Sequence, residues 1–268
     1  MPVQTSIQLF TVREALEADL DGTLAALAAR GFTAAEPYDF VDRAEALAAS
    51  LAAHGITAPT GHAFVASTSF IGPDGSETTD AVAAIDAVFD AADVLGMTTV
   101  IEPYSAPSRW ETREQVEETA RLLNNAAEIG ARRGIRVGYH NHAHELEATF
   151  DGQTGLELLA ELLDERVVLE VDLYWVARAG IDSPTLLKTL GDRVVAVHVK
   201  DGTLDPEAIA AYPPADQVPA GQGVVPLAEA IAAAPALEIA IVEFDHFDGD
   251  LFDAVQQSLV HLDSIVSA

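Results

Sequence analysis

The apolar run Val137-Gly-Tyr-His-Asn-His-Ala-His-Glu145 passes straight into three histidines and a glutamate. Three later apolar runs end in the same manner: Val167-Val-Leu-Glu-Val-Asp172, Val194-Val-Ala-Val-His198 and Ile239-Ala-Ile-Val-Glu243. Such side chains are costly to bury unpaired, so four of them at the ends of apolar runs point to one shared site. Asp172, His198 and Glu243 combine carboxylate oxygen with imidazole nitrogen, a donor set suited to Mn, Co, Fe, Zn or Mg more than to a closed structural zinc site. His140 and His142 are two apart and on a strand would share a face. One imidazole can complete a metal shell while the other accepts a proton beside it. His144 lies past the strand, the first of the three to be read as an ordinary rim histidine, and Glu145 falls in the following loop. Lys200 is one of only two lysines in the chain. In Val197-His-Val-Lys-Asp-Gly202 it shares a strand face with His198, where an ammonium could hold a substrate oxygen or stabilise an enolate.

These residues need strands to carry them. Short β-rich runs alternate with longer Ala/Leu-rich helical stretches, and strands are expected near Ser6–Phe10, Thr33–Glu36, Thr57–His62, Thr98–Glu102, Arg136–His140, Val168–Asp172, Val194–Val199 and Glu238–Glu243. Helical patterns lie between them, several closed by a glycine such as Gly96 or Gly134, and Leu251–Val266 supplies a last amphipathic helix. Eight βα units without a central linker predict a (β/α)8 TIM barrel, a single domain spanning residues 1–268. A doubly wound open sheet fits less well, because no Gly-rich fingerprint follows the first strand. In a parallel barrel all strand C-termini open on one face, which gathers Gln8, Glu36, His62, Glu102, His140, Asp172, His198 and Glu243 at one mouth. The Pro- and Gly-rich stretch Thr203–Gly223 is expected to form a flap over that mouth.

The chain has 268 residues, 49% of them hydrophobic, enough for a sizeable core. Forty-three acidic against 14 basic residues give a formal charge of -29. That balance repels nucleic acid and anionic membrane surfaces. Without cysteine, disulfides and thiolate metal sites are excluded. Neither a secretory leader nor an apolar run of spanning length is evident, so the expected setting is the cytoplasm. The acidic surface and the Pro-rich stretch leave room for a homodimer.

Several motifs together carry a family resemblance: Ile7-Gln-Leu-Phe-Thr-Val-Arg13, Tyr139-His-Asn-His-Ala-His-Glu145, Val171-Asp-Leu-Tyr-Trp-Val-Ala-Arg-Ala-Gly180, His198-Val-Lys-Asp-Gly202 and Gly221-Gln-Gly223. In this order, over essentially the whole chain, it resembles the sugar phosphate isomerase/epimerase family of xylose isomerase-like TIM barrels. The resemblance implies a divalent metal held by strands five to eight through Glu, Asp, His and Glu. Asp172, His198 and Glu243 match the last three. His140 stands where many relatives have glutamate, so either His140 is the fourth ligand or Glu145 reaches back. A histidine-rich fifth strand is similar to the dehydratase, lyase and keto-inositol branches, which makes His142 the candidate base. The resemblance further implies that Gln8, Glu36, His62, Glu145 and Lys200 line a substrate pocket, with Trp175 as an apolar wall.

This set suits proton abstraction next to a carbonyl of a sugar, keto-sugar or inositol derivative, through an enediolate. His142 or Glu243 would take the proton and Lys200 would steady the oxygen. Reprotonation gives isomerase or epimerase chemistry, whereas loss of a β-substituent gives dehydratase or lyase chemistry. With only Arg13, Arg178 and Lys200 placed near the mouth, a neutral substrate is favoured over a phosphorylated one. A DNA-repair enzyme on this barrel would need a basic groove, which the charge denies. A non-enzymatic carbohydrate-binding protein on the same barrel is the remaining class.

Overall fold

In a computed structural model that describes residues 2–67, 70–71, 77–78, 83–208 and 213–267, the alternating pattern folds as a barrel. Its strands are β1 (Gln4–Gln8), β2 (Ala35–Glu36), β3 (Thr60–His62), β4 (Thr99–Glu102), β5 (Arg136–His140), β6 (Val167–Asp172), β7 (Val194–Val199) and β8 (Ile239–Val242). They form one sheet, parallel throughout, in the order β2-β1-β8-β7-β6-β5-β4-β3. Single parallel bridges, Ala34 to Thr57 and Tyr38 to His62, join β2 to β3 and close the ring. Principal helices follow the strands in turn: α1 (Leu20–Ala29), α2 (Ala44–Ala53), α3 (Ile85–Leu95), α4 (Arg113–Ala131), α5 (Gly155–Leu162), α6 (Ser183–Leu190), α7 (Leu227–Ala233) and α8 (Leu251–Val266). All eight expected strands are present, with small shifts at their ends. β1 stops at Gln8 rather than Phe10 because the Gln8 side chain accepts the Phe10 N–H at 3.0 Å and caps a 3-10 turn, Leu9–Val12. β3 begins only at Thr60, since Pro59 has no N–H to give the ladder.

The helices start and stop where the sequence provides caps. Thr112 and Thr154 each form a reciprocal capping box, with Gln115 and Glu157 respectively. Gly96 ends α3 in the left-handed conformation at φ 69°, which a residue without Cβ adopts at no steric cost. No helix of the described residues is long and apolar enough to cross a membrane.

The strands separate two apolar regions. The larger lies between the barrel and its helices; the smaller, Val168, Val195, Ala196, Ile239 and Ile241, fills the barrel interior. Below His140 on β5 the inward position is Gly138. A Cβ there would come within 2.4 Å of Ile101 Cδ1 and 3.2 Å of Val168 Cγ2, so the glycine is needed for the interior layer to close beneath the histidine.

The connection after β7 is held by one carboxylate. Asp201 and Gly202 pair antiparallel with Gln217 and Val218. Asp201 accepts backbone N–H groups from Gly202, Gly221 and Gly223 at 2.9 Å each and from Val225 at 3.1 Å. Gly223 is required here, because a Cβ would lie 2.1 Å from Asp201 Oδ1. Of the stretch expected to form a flap, residues 209–212 lie outside the described residues. The remainder is anchored at the mouth by Asp201 and by Gln217, whose Nε2 donates to Asp245 Oδ2 at 2.7 Å.

Two outcomes check this account. Gly138→Ala is expected to cost roughly 1–3 kcal/mol by overpacking, measured by urea denaturation, and Ile101→Val, which removes the obstructing Cδ1, should recover part of it. Asp201→Ala should cost about 1–3 kcal/mol by leaving backbone donors unpaired, and limited proteolysis should then cut within residues 203–223 first.

Candidate active site

Strand register stacks the polar residues in two layers above the interior apolar plug. Gln8 pairs with Glu36, Glu170 with His140, and Asp172 with His198 along the ladders. The deeper layer is Gln8, Glu36, His62 and Glu170. The Gln8 amide donates to Glu36 Oε1 at 2.8 Å. The same oxygen lies 2.8 Å from His198 Nε2 and 3.2 Å from His62 Nε2. Glu170 Oε1 lies 2.7 Å from His62 Nε2, 3.0 Å from His198 Nε2 and 3.1 Å from His140 Nδ1. Glu36, Glu170 and His198 are each 0% exposed, so such contacts must compensate for lost water.

The outer layer belongs to Asp172, Lys200, Glu243 and Asp245. Asp172 Oδ1 caps the short helix Leu173–Arg178, accepting the Tyr174 and Trp175 N–H groups at 3.0 Å each. That leaves Oδ2 for the site, 3.7 Å from His140 Nε2 and 3.0 Å from Lys200 Nζ. Glu243 Oε2 is 2.5 Å from His198 Nδ1 and 2.7 Å from Lys200 Nζ. Lys200 also reaches Asp245 at 3.0 Å and is 2% exposed, a buried ammonium among three carboxylates rather than a rim salt bridge.

His140, Asp172, His198 and Glu243 each offer one ligand atom within 4.8 Å of the others, and so do His62, His140, Glu170 and His198. The donor chemistry fits a divalent cation. Among the described residues, Glu36 Oε2 and Glu170 Oε2 are buried without a hydrogen bond, and Asp172 Oδ2 and His140 Nδ1 meet Lys200 and Glu170 at 3.0 and 3.1 Å outside hydrogen-bond geometry, as expected of donors open to a cation.

Protonation follows from the contacts. Burial, together with the His198 charge, pulls the His140 imidazole down to about 3. Burial and the neighbouring His140 and His144 hold His142 well below the usual histidine range, so its ring is neutral at neutral pH. For His198 burial acts in the same direction, but Glu170 and Glu243 overcome it and raise the group well above 6.5. Burial would raise Glu243, yet Lys200 and His198 beside it hold its carboxyl well below the usual range. Asp172 is pushed up to about 6 by burial, with Lys200 opposing.

The remaining expected residues fall in different places. His142 lies past the end of β5, not on it. Its ring nonetheless comes 5.3 Å from the His140 ring and 5.4 Å from Trp175, and its Nδ1 is buried without a hydrogen bond. Trp175, 4% exposed, stands between His142 and Lys200 Nζ, the latter 5.7 Å from its ring. Gln8 donates to Glu36 and accepts the Phe10 N–H, and with Glu36 it lies at the floor of the cluster. Glu145 is turned away from the cluster, contrary to the expectation that it lines the pocket or reaches back to a metal. Its oxygens accept the Tyr139 hydroxyl at 2.7 Å and the His142 N–H at 2.9 Å, so it fixes the backbone that carries His142. His144 Nε2 contacts the Ser105 carbonyl at 2.9 Å. Glu102, at the end of β4, accepts the Val65 and Ala66 N–H groups at 2.6 and 2.7 Å and so holds the loop after β3.

Sequence reasoning missed four residues. Glu170 and Asp245 were legible from alternation, each two positions from a strand-end carboxylate. Asn141 accepts the Asp172 N–H at 3.1 Å and ties β5 to β6; Gln217 comes from a distant loop. Neither carries a spacing signal.

The chain is similar in fold to a sugar phosphate isomerase/epimerase from Parabacteroides distasonis, with 18% identity over 98% of this chain and 94% of that one and a TM-score of 0.74. It is similar to the probable 3-DHS dehydratase AsbF involved in petrobactin synthesis from Bacillus anthracis, with 14% identity, 97% and 99% covered and a TM-score of 0.71. It is also similar to the IOLI protein with a binding zinc atom, with 15% identity, 99% and 98% covered and a TM-score of 0.71. No curated protein sequence matches the chain. The family model for xylose isomerase-like TIM barrels matches residues 24–263. With the closed eight-stranded parallel barrel and nearly the whole chain matched, the protein belongs to the xylose isomerase-like TIM barrel family.

Proposed function

We propose that this protein is a divalent-metal-dependent isomerase or epimerase of an unphosphorylated sugar, keto-sugar or inositol derivative. The observation that carries this reading is the buried quartet His140, Asp172, His198 and Glu243 beside Lys200, with the neutral His142 adjoining it. These four would hold the cation, which when bound supplies Lewis-acid polarisation of a carbonyl and its neighbouring hydroxyl. The rest of the work falls to the chain. His142, uncharged and with Nδ1 unpartnered, takes the proton from the carbon next to the carbonyl, and Glu243 is the alternative acceptor. Lys200 donates hydrogen bonds to the oxygen as negative charge develops, a role served by an ammonium held by its carboxylate neighbours just past the end of β7. Trp175 covers the site and keeps water from the carbanionic carbon. Returning the proton to the neighbouring carbon yields an isomer, and returning it to the opposite face yields an epimer.

The absence of phosphate from the substrate is supported by the cations near the mouth. Lys200 is paired with three carboxylates. The Arg13 guanidinium bonds the Phe10 and Asp245 carbonyls at 3.0 and 3.3 Å, and Arg178 stacks over Trp175 at 4.7 Å. The loop after β8, Asp245-His-Phe-Asp-Gly-Asp250, adds further negative charge. A second reading, dehydratase or lyase action on a keto-sugar or keto-inositol, draws support from His140. With histidine in that place, two symmetric carboxylates do not flank the reacting carbon, and elimination needs only one base and a leaving group.

The metal-loaded protein, incubated in deuterated water with ketoses, keto-inositols and their phosphates, should exchange a carbon-bound proton of an unphosphorylated member, followed by NMR. His142→Ala is expected to slow exchange by about 10²–10⁴-fold, and Glu243→Gln should abolish it. Exchange only with phosphorylated members overturns the substrate class; loss of a hydroxyl selects the second reading. After removal with chelator and reloading, elemental analysis should find one divalent ion per chain, and a markedly lower content would sink the metal reading.

A further inference from the structure

The deeper layer contains a carboxylate that the reaction scheme does not use. Glu170 is 0% exposed and touches three imidazoles through one oxygen: His62 at 2.7 Å, His198 at 3.0 Å and His140 at 3.1 Å. Its other oxygen has no hydrogen bond among the described residues. A buried carboxylate could serve as a counter-ion alone, but its placement against the ring nitrogens says more. His140 and His198 each face two ways. The deep nitrogens, His140 Nδ1 and His198 Nε2, face Glu170, and the latter also faces Glu36 at 2.8 Å. The outer nitrogens, His140 Nε2 and His198 Nδ1, face Asp172 and Glu243.

We infer that Glu170, aided by Glu36, is the positioning residue that fixes the tautomers of both candidate histidine ligands. A ring nitrogen about 3 Å from a carboxylate oxygen must present a hydrogen to it, because two acceptors at that distance repel. Glu170 with Glu36 therefore keeps one hydrogen of His198 on Nε2, and the Glu170 charge 3.1 Å from His140 Nδ1, a contact outside hydrogen-bond geometry, favours the hydrogen of that ring on Nδ1. A neutral imidazole has one N–H and one lone pair. His198 also carries a hydrogen on Nδ1, toward Glu243 at 2.5 Å; with the deep nitrogens protonated, the lone pair of His140, and that of His198 once this outer hydrogen gives way to a ligand, lies on the side of Asp172 and Glu243. A carboxylate behind a ligating imidazole orients the ring and increases its basicity. Here one carboxylate does so for two rings from neighbouring strands, and His62, held by the same oxygen, stops Glu170 from swinging toward the mouth. Alternation gives the physical basis: on β6, Glu170 and Asp172 share the inward face, so one strand supplies both the ligand and the group beneath it.

This inference rests on the metal reading above, and its test separates the two. Zinc binding to the wild-type chain and to Glu170→Gln is measured by calorimetry, after circular dichroism has shown that each is folded. Histidine tautomers in both zinc-loaded forms are read by long-range proton–nitrogen NMR. The expected result is one zinc per wild-type chain, with His140 carrying its hydrogen on Nδ1 and His198 on Nε2. Glu170→Gln, which keeps the shape and removes the charge, should bind zinc about 10–100-fold more weakly and show mixed tautomers for His140. If Glu170→Gln fails to fold, Glu36→Gln is measured instead and should loosen the His198 tautomer alone. Unchanged affinity and tautomers in the variant overturn the inference while leaving the metal reading standing. Two zinc ions per wild-type chain, or ligation through His140 Nδ1, also overturn it, since Glu170 would then be a ligand itself. Failure of the wild-type chain to bind any divalent ion removes the metal reading and the inference with it.

Discussion

Burial of charge inside the barrel is the constraint on which the rest of this structure depends. Glu36, Glu170, Asp172, His198 and Lys200 lie at 0–2% exposure, where an unpaired ion costs several kcal/mol. Each is therefore placed against groups of opposite charge or complementary hydrogen bonding. Glu170 meets His62 and His198, Glu243 meets His198 and Lys200, and Asp172 is shared between a helix N-terminus and Lys200. The cluster spans strands β2, β3, β5, β6, β7 and β8, so its electrostatics and the closure of the barrel are one problem. A strand out of register would leave at least one of these ions alone.

Much of the surrounding backbone serves this cluster. Gly138 lets the interior layer close beneath His140, and Asn141 ties the end of β5 to β6 through the Asp172 N–H. Glu145 and Tyr139 fix the turn carrying His142 from behind the strand. Asp201 gathers four backbone donors and holds the connection after β7, and from that connection Gln217 reaches Asp245, a partner of Lys200. Rigid strands and satisfied backbone groups around a polar cluster are what a site requires if its geometry is to be ready before a ligand arrives.

The strand-end pattern made most of the site legible. The apolar runs ending in His140, Asp172, His198 and Glu243 gave the quartet, and the barrel gave the reason for their meeting. Alternation also contained Glu170 and Asp245, because period-2 spacing from Asp172 and Glu243 puts them inward, although neither is the polar residue that closes an apolar run. Other residues sit where they do for a physical reason that sequence does not carry. Glu145 is a good ligand by type, yet the turn after β5 directs it behind the strand to Tyr139. Gln8 and Glu36 are at strand ends, but the short β2 and the cap at Gln8 sink them into the floor.

By itself, then, the sequence determined the eight βα units, the inward parity of the strands that carry the quartet and the types of donor at the mouth; Glu102, paired with the outward Tyr139, faces the other way. These follow from local propensity and hydrophobic period, which are properties of neighbours along the chain. The tertiary structure decided the depth of each polar group, the ring nitrogen that each imidazole turns to its neighbour, and the partners that neutralise Lys200. Those depend on distances of a few ångströms between residues up to 162 positions apart, as between Glu36 and His198. No local pattern records such distances; the closed barrel sets them.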